Sequence, residues 1–201
     1  MWNERSEKVA RAFRRERKKP PALLIIDVQK AIDDPSWGND RNNPNAEANI
    51  AKLLAFWRDR SWPIFHVRHV SLEPNSTYRE GQAGTEFKDE VLPHPGERVI
   101  EKHTNSAFIG TGLEAELHAR GIENVVITGV ITNNSVESTA RMAGNLGFST
   151  FVVADATATF GRRDFAGKWR TSEEVHAMSL ANLDREYASV LTTEDLLSRF
   201  G

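Results

Sequence analysis

The stretch Val125-Val126-Ile127-Thr128-Gly129-Val130-Ile131-Thr132-Asn133-Asn134-Ser135-Val136-Glu137-Ser138-Thr139-Ala140-Arg141 decides the fold. Its first residues form an apolar run suited to a short strand buried on both faces, and a helix with Val136, Ala140 and Ala143 on one side follows almost at once. A strand that turns directly into a helix presents the side chain at the turn over the helix N-terminus, where free backbone N–H groups stabilise negative charge. Ser135 stands at that point, as in a nucleophile elbow.

Working outward, the same kind of unit recurs. Pro20-Pro21 precede Ala22-Leu23-Leu24-Ile25-Ile26, a second doubly buried strand that ends at Asp27. Asn43-Pro44 opens a helix whose apolar residues Ala46, Ile50, Leu53, Leu54 and Trp57 fall at helical spacing, and Pro63 to Val67 is the next strand. Ser71 to Gly96 is rich in Pro, Gly and charge without periodicity, a long loop of the kind that covers active sites. Arg98 to Glu101 predicts a strand running into Lys102, and a helix with Leu113 and Leu117 stops at Gly121. Thr150 to Ala154 predicts a further strand, ending at Asp155. A basic loop with Arg162, Arg163, Lys168, Trp169 and Arg170 leads to a helix carrying His176, Leu180, Leu183 and Tyr187 on one face, then a short strand near Ala188 to Leu191. Regular alternation of this kind predicts an α/β fold, a three-layer sandwich with a predominantly parallel six-stranded sheet and helices on both faces. In such Rossmann-like sheets, sites form beyond the carboxyl ends of the strands.

Composition narrows the class. The chain has 201 residues, 39% hydrophobic and 27% charged, enough for one core, so residues 1–201 are expected to form a single domain with a charged helical arm over 4–19. That arm reads as a solvated helix packed on the domain or on a neighbouring subunit. A net charge of -2 gives no overall attraction to nucleic acid or to acidic membranes. No apolar run reaches membrane-spanning length, and the N-terminus is too charged for a signal peptide, so a cytoplasmic protein is expected. Zero cysteines exclude disulfides, thiolate metal sites and cysteine catalysis in the chain as it stands.

Three polar residues sit at strand ends: Asp27, Lys102 and Ser135. In a doubly wound sheet those ends converge on one edge. The segments Leu24-Ile25-Ile26-Asp27-Val28-Gln29, Ile100-Glu101-Lys102 with Ser106-Ala107-Phe108, and Thr128-Gly129-Val130-Ile131-Thr132 through Val136-Glu137-Ser138-Thr139-Ala140 resemble, in this order and spacing, the isochorismatase-like hydrolases. The likeness spans roughly residues 20 to 195, and the group includes nicotinamidases, carbamoylsarcosine amidohydrolases and related C–N hydrolases.

The resemblance implies an Asp–Lys–Cys triad that attacks an amide carbon through a thiolate. Asp27 is then the proton carrier, Lys102 the group that orients it and favours the thiolate, and Ser135 the occupant of the cysteine position. It also implies a cis peptide between Val130 and Ile131 and an oxyanion hole from the N–H groups of Ile131 and Ser135. Because a hydroxyl is far harder to deprotonate than a thiol, a form with Ser135 is expected to be inactive or impaired, a cysteine-to-serine replacement. A natural serine in a divergent member is the other reading. The substrate expected from the likeness is a small amide, ureide or carboxylate-bearing molecule. The alternatives are vinyl-ether hydrolysis of the isochorismatase type, which needs no cysteine, and a catalytically silent binding protein.

Two departures qualify the likeness. Nicotinamidases hold a metal through Asp-x-His and further histidines, but residues 33–62 contain no histidine. His66 and His69 are therefore assigned structural or pocket-lining roles, and no metal or cofactor is expected. The family's phenylalanine five positions after the triad Asp is here Ile32. Candidate substrate contacts are Gln29, Ile32, Trp37, Phe108, Val130 and Trp169, with Arg162, Arg163 and Arg170 as possible carboxylate or subunit contacts. Nucleic acid and membrane are not expected partners; a homo-oligomer, dimer or tetramer, is expected from the likeness.

Overall fold

Ala22–Ile26 has no polar side chain to offer water, and in a computed structural model that describes residues 19–201 it is a strand (β1) buried at all five positions. Ile64–His69 (β2) pairs with one side of β1 and Asn124–Val130 (β4) with the other, both parallel. Arg98–Lys102 (β3) lies outside β2, while Ser149–Ala158 (β5) and Ser189–Leu191 (β8) continue the far side. The order is β3-β2-β1-β4-β5-β8, parallel throughout. The chain winds outward from β1 to β3 and then jumps back to β4, so the switch point lies between β1 and β4.

Ala46–Asp59 (α1) and Thr193–Phe200 (α5) cover one face, on a core with Leu23, Ile25, Val126 and Phe151. Leu113–Ala119 (α2), Glu137–Asn145 (α3) and Ser172–Leu183 (α4) cover the other, on Leu24, Ile26, Ile127 and Val152. Successive residues of one strand thus alternate between the two cores, which is why β1 reads as continuously apolar. On the first face Trp57 is fully buried, its Nε1 donates to Pro21 O at 2.9 Å, and its ring meets those of Trp62 and Phe200 edge-on. Such a ring contributes about 2–3 kcal/mol through burial alone.

Three expectations need correction. The basic loop contains a two-rung antiparallel hairpin, Arg162–Arg163 (β6) with Trp169–Arg170 (β7). Asp164, accepting from Arg170 Nε at 2.8 Å, braces it, and two residues per strand leave no period to read. Helix α4 ends before Tyr187, which instead packs under the Arg141 guanidinium 4.7 Å from its ring centroid. Helix α5 carries a capping box, Thr192 with Asp195, that the sequence reading passed over. The helical arm expected over 4–19 lies, apart from Lys19, outside the described residues. No described helix is long and apolar enough to cross a membrane.

Candidate active site

The sheet order brings the three strand-end residues together. Lys102 closes β3, Asp27 follows β1, and Ser135 lies in the turn after β4. Lys102 Nζ donates to Asp27 Oδ2 at 2.7 Å, to Thr104 O at 2.9 Å and to Ser135 Oγ at 3.3 Å. All three residues are buried, at 4%, 1% and 8% exposure for Asp27, Lys102 and Ser135. Asp27 adopts a left-handed conformation, φ 54°, which Asp tolerates better than bulky residues and which turns its carboxyl back toward β3. Beside it, Gly129 pairs with Ile26 at φ 116°, where an added Cβ would stand 2.1 Å from Ile26 O.

Beyond β4 the peptide between Val130 and Ile131 is cis, and Thr132–Val136 make one wide helical turn before α3. Ile131 O accepts from the N–H groups of both Asn134 and Val136. Helix α4 holds this turn by two side chains one helical turn apart. His176 Nδ1 lies 3.0 Å from Thr132 Oγ1, and Ser179 Oγ lies 3.3 Å from Thr132 O and 2.6 Å from Glu137 Oε2. Burial keeps His176 below the ordinary histidine range, so a neutral ring shares the hydrogen bond with the Thr132 hydroxyl.

Burial raises the Asp27 carboxyl above its ordinary range, against the opposing pull of Lys102. Its Oδ1 is buried and has no hydrogen-bond partner among the described residues. Tyr78, from the long loop, covers the site: its hydroxyl stands 3.4 Å from Asp27 O, and burial pushes it well above the usual phenol range. His69, last in β2, places Nδ1 3.5 Å from Lys102 Nζ. Burial and then the Lys102 charge bring its pKa down to about 4.

The predicted substrate contacts divide into two groups. Ile32, Trp37 and Val130 come together with Ile131 and Phe160 in one apolar cluster, where Trp37 stacks on Phe160 at 5.6 Å and meets Tyr78 edge-on at 6.5 Å. Gln29 does not serve as expected, because both ends of its amide are engaged. Nε2 donates to His69 O and Thr85 O, and Oε1 accepts from His69 N. Phe108 is also displaced, buried in the core under α2 and α3 and stacked on Phe148. Trp169 is 49% exposed on the hairpin, its Nε1 donating to Asp40 Oδ2. Arg162, Arg163 and Arg170 line an open groove of about 680 Å³ with Asn133, Glu137 and Met178, away from Asp27 and Lys102. Tyr78, Phe160 and His176 were missed. Only the aromatic character of the first two hinted at a wall, and His176 was legible merely as one side of a helix. Among the described residues no group of three or more His, Cys, Asp or Glu is placed to hold a metal ion.

The sheet is that of an α/β protein, and it gathers an acid, an amine and a hydroxyl at its switch point as a candidate site. The Isochorismatase domain family model matches residues 21–195. A crystal structure of an isochorismatase-family protein from Chromobacterium violaceum superposes with a TM-score of 0.87 at 58% identity, covering 90% of this chain and 93% of that one. The isochorismatase family protein YrdC of Bacillus subtilis (strain 168) is 45% identical over 179 residues, 89% of this chain and 95% of its own. Maleamate amidohydrolase of Pseudomonas putida is 29% identical over 196 residues, 89% of this chain and 86% of its own. The chain belongs to the isochorismatase family, and is an isochorismatase-family hydrolase.

Proposed function

We propose that the protein hydrolyses the C–N bond of a small amide or ureide, with Asp27, Lys102 and Ser135 as its catalytic residues. The observation that carries this is the buried contact of one ammonium with both the Asp27 carboxylate and the Ser135 hydroxyl. In the proposed step Ser135 Oγ attacks the amide carbon while its proton passes to Asp27. The oxyanion is met by the N–H groups of Ile131 and Ser135, and Asp27 returns the proton to the leaving nitrogen. Water then attacks the ester, with Asp27 accepting its proton and passing it to Ser135 Oγ as the acid product leaves. Lys102 keeps the carboxylate and the nucleophile in register. Ile32, Trp37, Val130 and Phe160 form the apolar wall of the substrate site. A relative that acts on maleamate, an amide bearing a carboxylate, supports this substrate class.

Ser135 stands where the family resemblance places cysteine, so the present chain is a slow or silent form. Ser135→Cys is expected to raise amide hydrolysis by roughly 100-fold, because a thiolate forms near pH 8 and a serine alkoxide does not. The test is ammonia release from a panel of small amides and ureides, and a variant silent on the whole panel would falsify this reading.

The raised Asp27 carboxyl favours a second reading, in which Asp27 is a general acid for vinyl-ether hydrolysis and Ser135 has no covalent role. The two differ in the sign of their pH dependence. Amide attack needs Asp27 ionised, so kcat/KM rises with pH through its raised value. Vinyl-ether protonation needs it neutral, so kcat/KM falls, and pyruvate release from isochorismate identifies it. A homo-oligomer with the basic hairpin at subunit contacts completes the proposal; a monomer in light scattering removes that part.

A further inference from the structure

The strand order places a fourth polar side chain in the row. Along the carboxyl edge β3 gives Lys102, β2 gives His69, β1 leads to Asp27, and the turn after β4 gives Ser135, so the strand of His69 lies between the strands that carry the buried ion pair. We propose that His69 is a substrate-binding residue of this site, a neutral imidazole whose Nε2–H donates to a carboxylate oxygen of the substrate. The proposal rests on the amide-hydrolase reading, whose catalytic residues it adds to.

Three observations carry it. First, Nδ1 faces the Lys102 ammonium at 3.5 Å, an arrangement that favours the neutral form with its ring proton on Nε2. The groups around the ring act in the same sense: Lys102 and His103 oppose a second proton, and Asp27 is turned to Lys102. Second, the residue is held at every other point. Gln29 takes its backbone N–H at 2.7 Å and its carbonyl at 2.9 Å, and the Tyr78 ring braces it edge-on at 5.5 Å. A donor fixed in this way binds a ligand with little loss of side-chain freedom. Third, Nε2 has no partner among the described residues, yet it is not one of the buried unpartnered atoms, which are Asp27 Oδ1, Arg41 Nε, His66 Nδ1 and Arg68 Nε. His176 is different, with its Nδ1 on Thr132 Oγ1, and His66 has its Nε2 on Glu97. His69 alone of these three pairs a committed nitrogen with an accessible donor.

The test uses the full-length ¹⁵N-labelled chain and two probes that share an amide: succinamate, and 4-methylpentanamide, in which an isopropyl group replaces the carboxylate. Long-range imidazole spectra are expected to show the Nε2–H form of His69, and succinamate is expected to shift that resonance while 4-methylpentanamide leaves it in place. His69→Phe is expected to weaken succinamate binding about tenfold, and His69→Gln, which keeps an N–H donor, to hold it within about threefold. In the Ser135→Cys chain, His69→Phe then raises KM for succinamate about tenfold with kcat within about twofold. An Nδ1–H form, no shift with succinamate, or equal binding by His69→Phe overturns the proposal. A chain that shows the succinamate shift but no turnover after Ser135→Cys overturns the hydrolytic reading and leaves His69 a binding residue.

Discussion

His66 and His69 lie three residues apart on one strand and end in opposite surroundings, because an odd spacing sends side chains to opposite faces of a sheet. His66 points into a closed network. Its Nε2 meets Glu97 Oε2 at 2.8 Å, and the same carboxylate accepts from Arg58 Nε and Nη2 and from the His94 N–H. Each oxygen of Glu97 is occupied, and the atom left over, His66 Nδ1, is a neutral lone pair. On the other face Asp27 Oδ1 and His69 Nε2 have no partner among the described residues. Both regions bury charge, but one satisfies it within the protein and the other keeps capacity for a ligand. That difference separates a structural ion cluster from a site more cleanly than burial or charge count does.

The comparison breaks first at the catalytic face. Lys102→Met or Asp27→Asn in the Ser135→Cys chain is expected to lower kcat/KM about 1,000-fold or more while circular dichroism stays native. Residual activity within tenfold of the parent would remove the site from Asp27 and Lys102 altogether. Glu97→Gln should behave in the reverse way, costing about 2 kcal/mol in denaturant unfolding through the lost charge-assisted bonds to Arg58, with turnover within about twofold. A loss of turnover without a loss of stability would merge the two regions into one.

Acid unfolding sharpens the contrast. Burial pushes Glu97 up, but Arg58, the His94 N–H and His66 together hold it down to about 2. A carboxylate depressed in the folded state contributes stability above its unfolded value of about 4.3 and loses it as pH falls toward 2. Thermal melts should therefore drop more steeply between pH 4 and 2 in the parent than in Glu97→Gln. Asp27, raised in the fold, carries the opposite sign, its contribution being present below the ordinary range and lost as pH rises through its folded value. Smallest of all, His176→Phe is expected to lower kcat about threefold to tenfold with KM little changed, since its Nδ1 contact with Thr132 supports the turn that carries Ser135. An unchanged kcat would show that α4 does not position that turn.

Much of this was legible in the chain. The apolar runs of β1 and β4 gave the doubly covered sheet because both faces of those strands are core, and Asp27, Lys102 and Ser135 could be placed at one edge from strand ends alone. The cis peptide was placed by likeness, not by periodicity. What the chain hid were contacts made across the fold. Gln29 looked like a pocket residue since it follows Asp27, but its amide reaches across to His69 and Thr85, forty and more residues away. Phe108 follows Lys102 closely and still turns into the core. Phe160 and Tyr78 reach Trp37 only because the chain before a hairpin and a long loop fold back toward it, and neither carries a period.

Gly129 sets a limit of another kind. Since a single added carbon would collide with the Ile26 carbonyl, the gap between the strands that carry Asp27 and the Ser135 turn is a backbone dimension, closed to adjustment by side-chain size. In the proposed site, a change in what is accepted therefore has to come from side chains, those of Tyr78 or of Ile32, Trp37 and Phe160. The separation of the Asp27 strand from the strand that leads to Ser135 is set by that backbone contact.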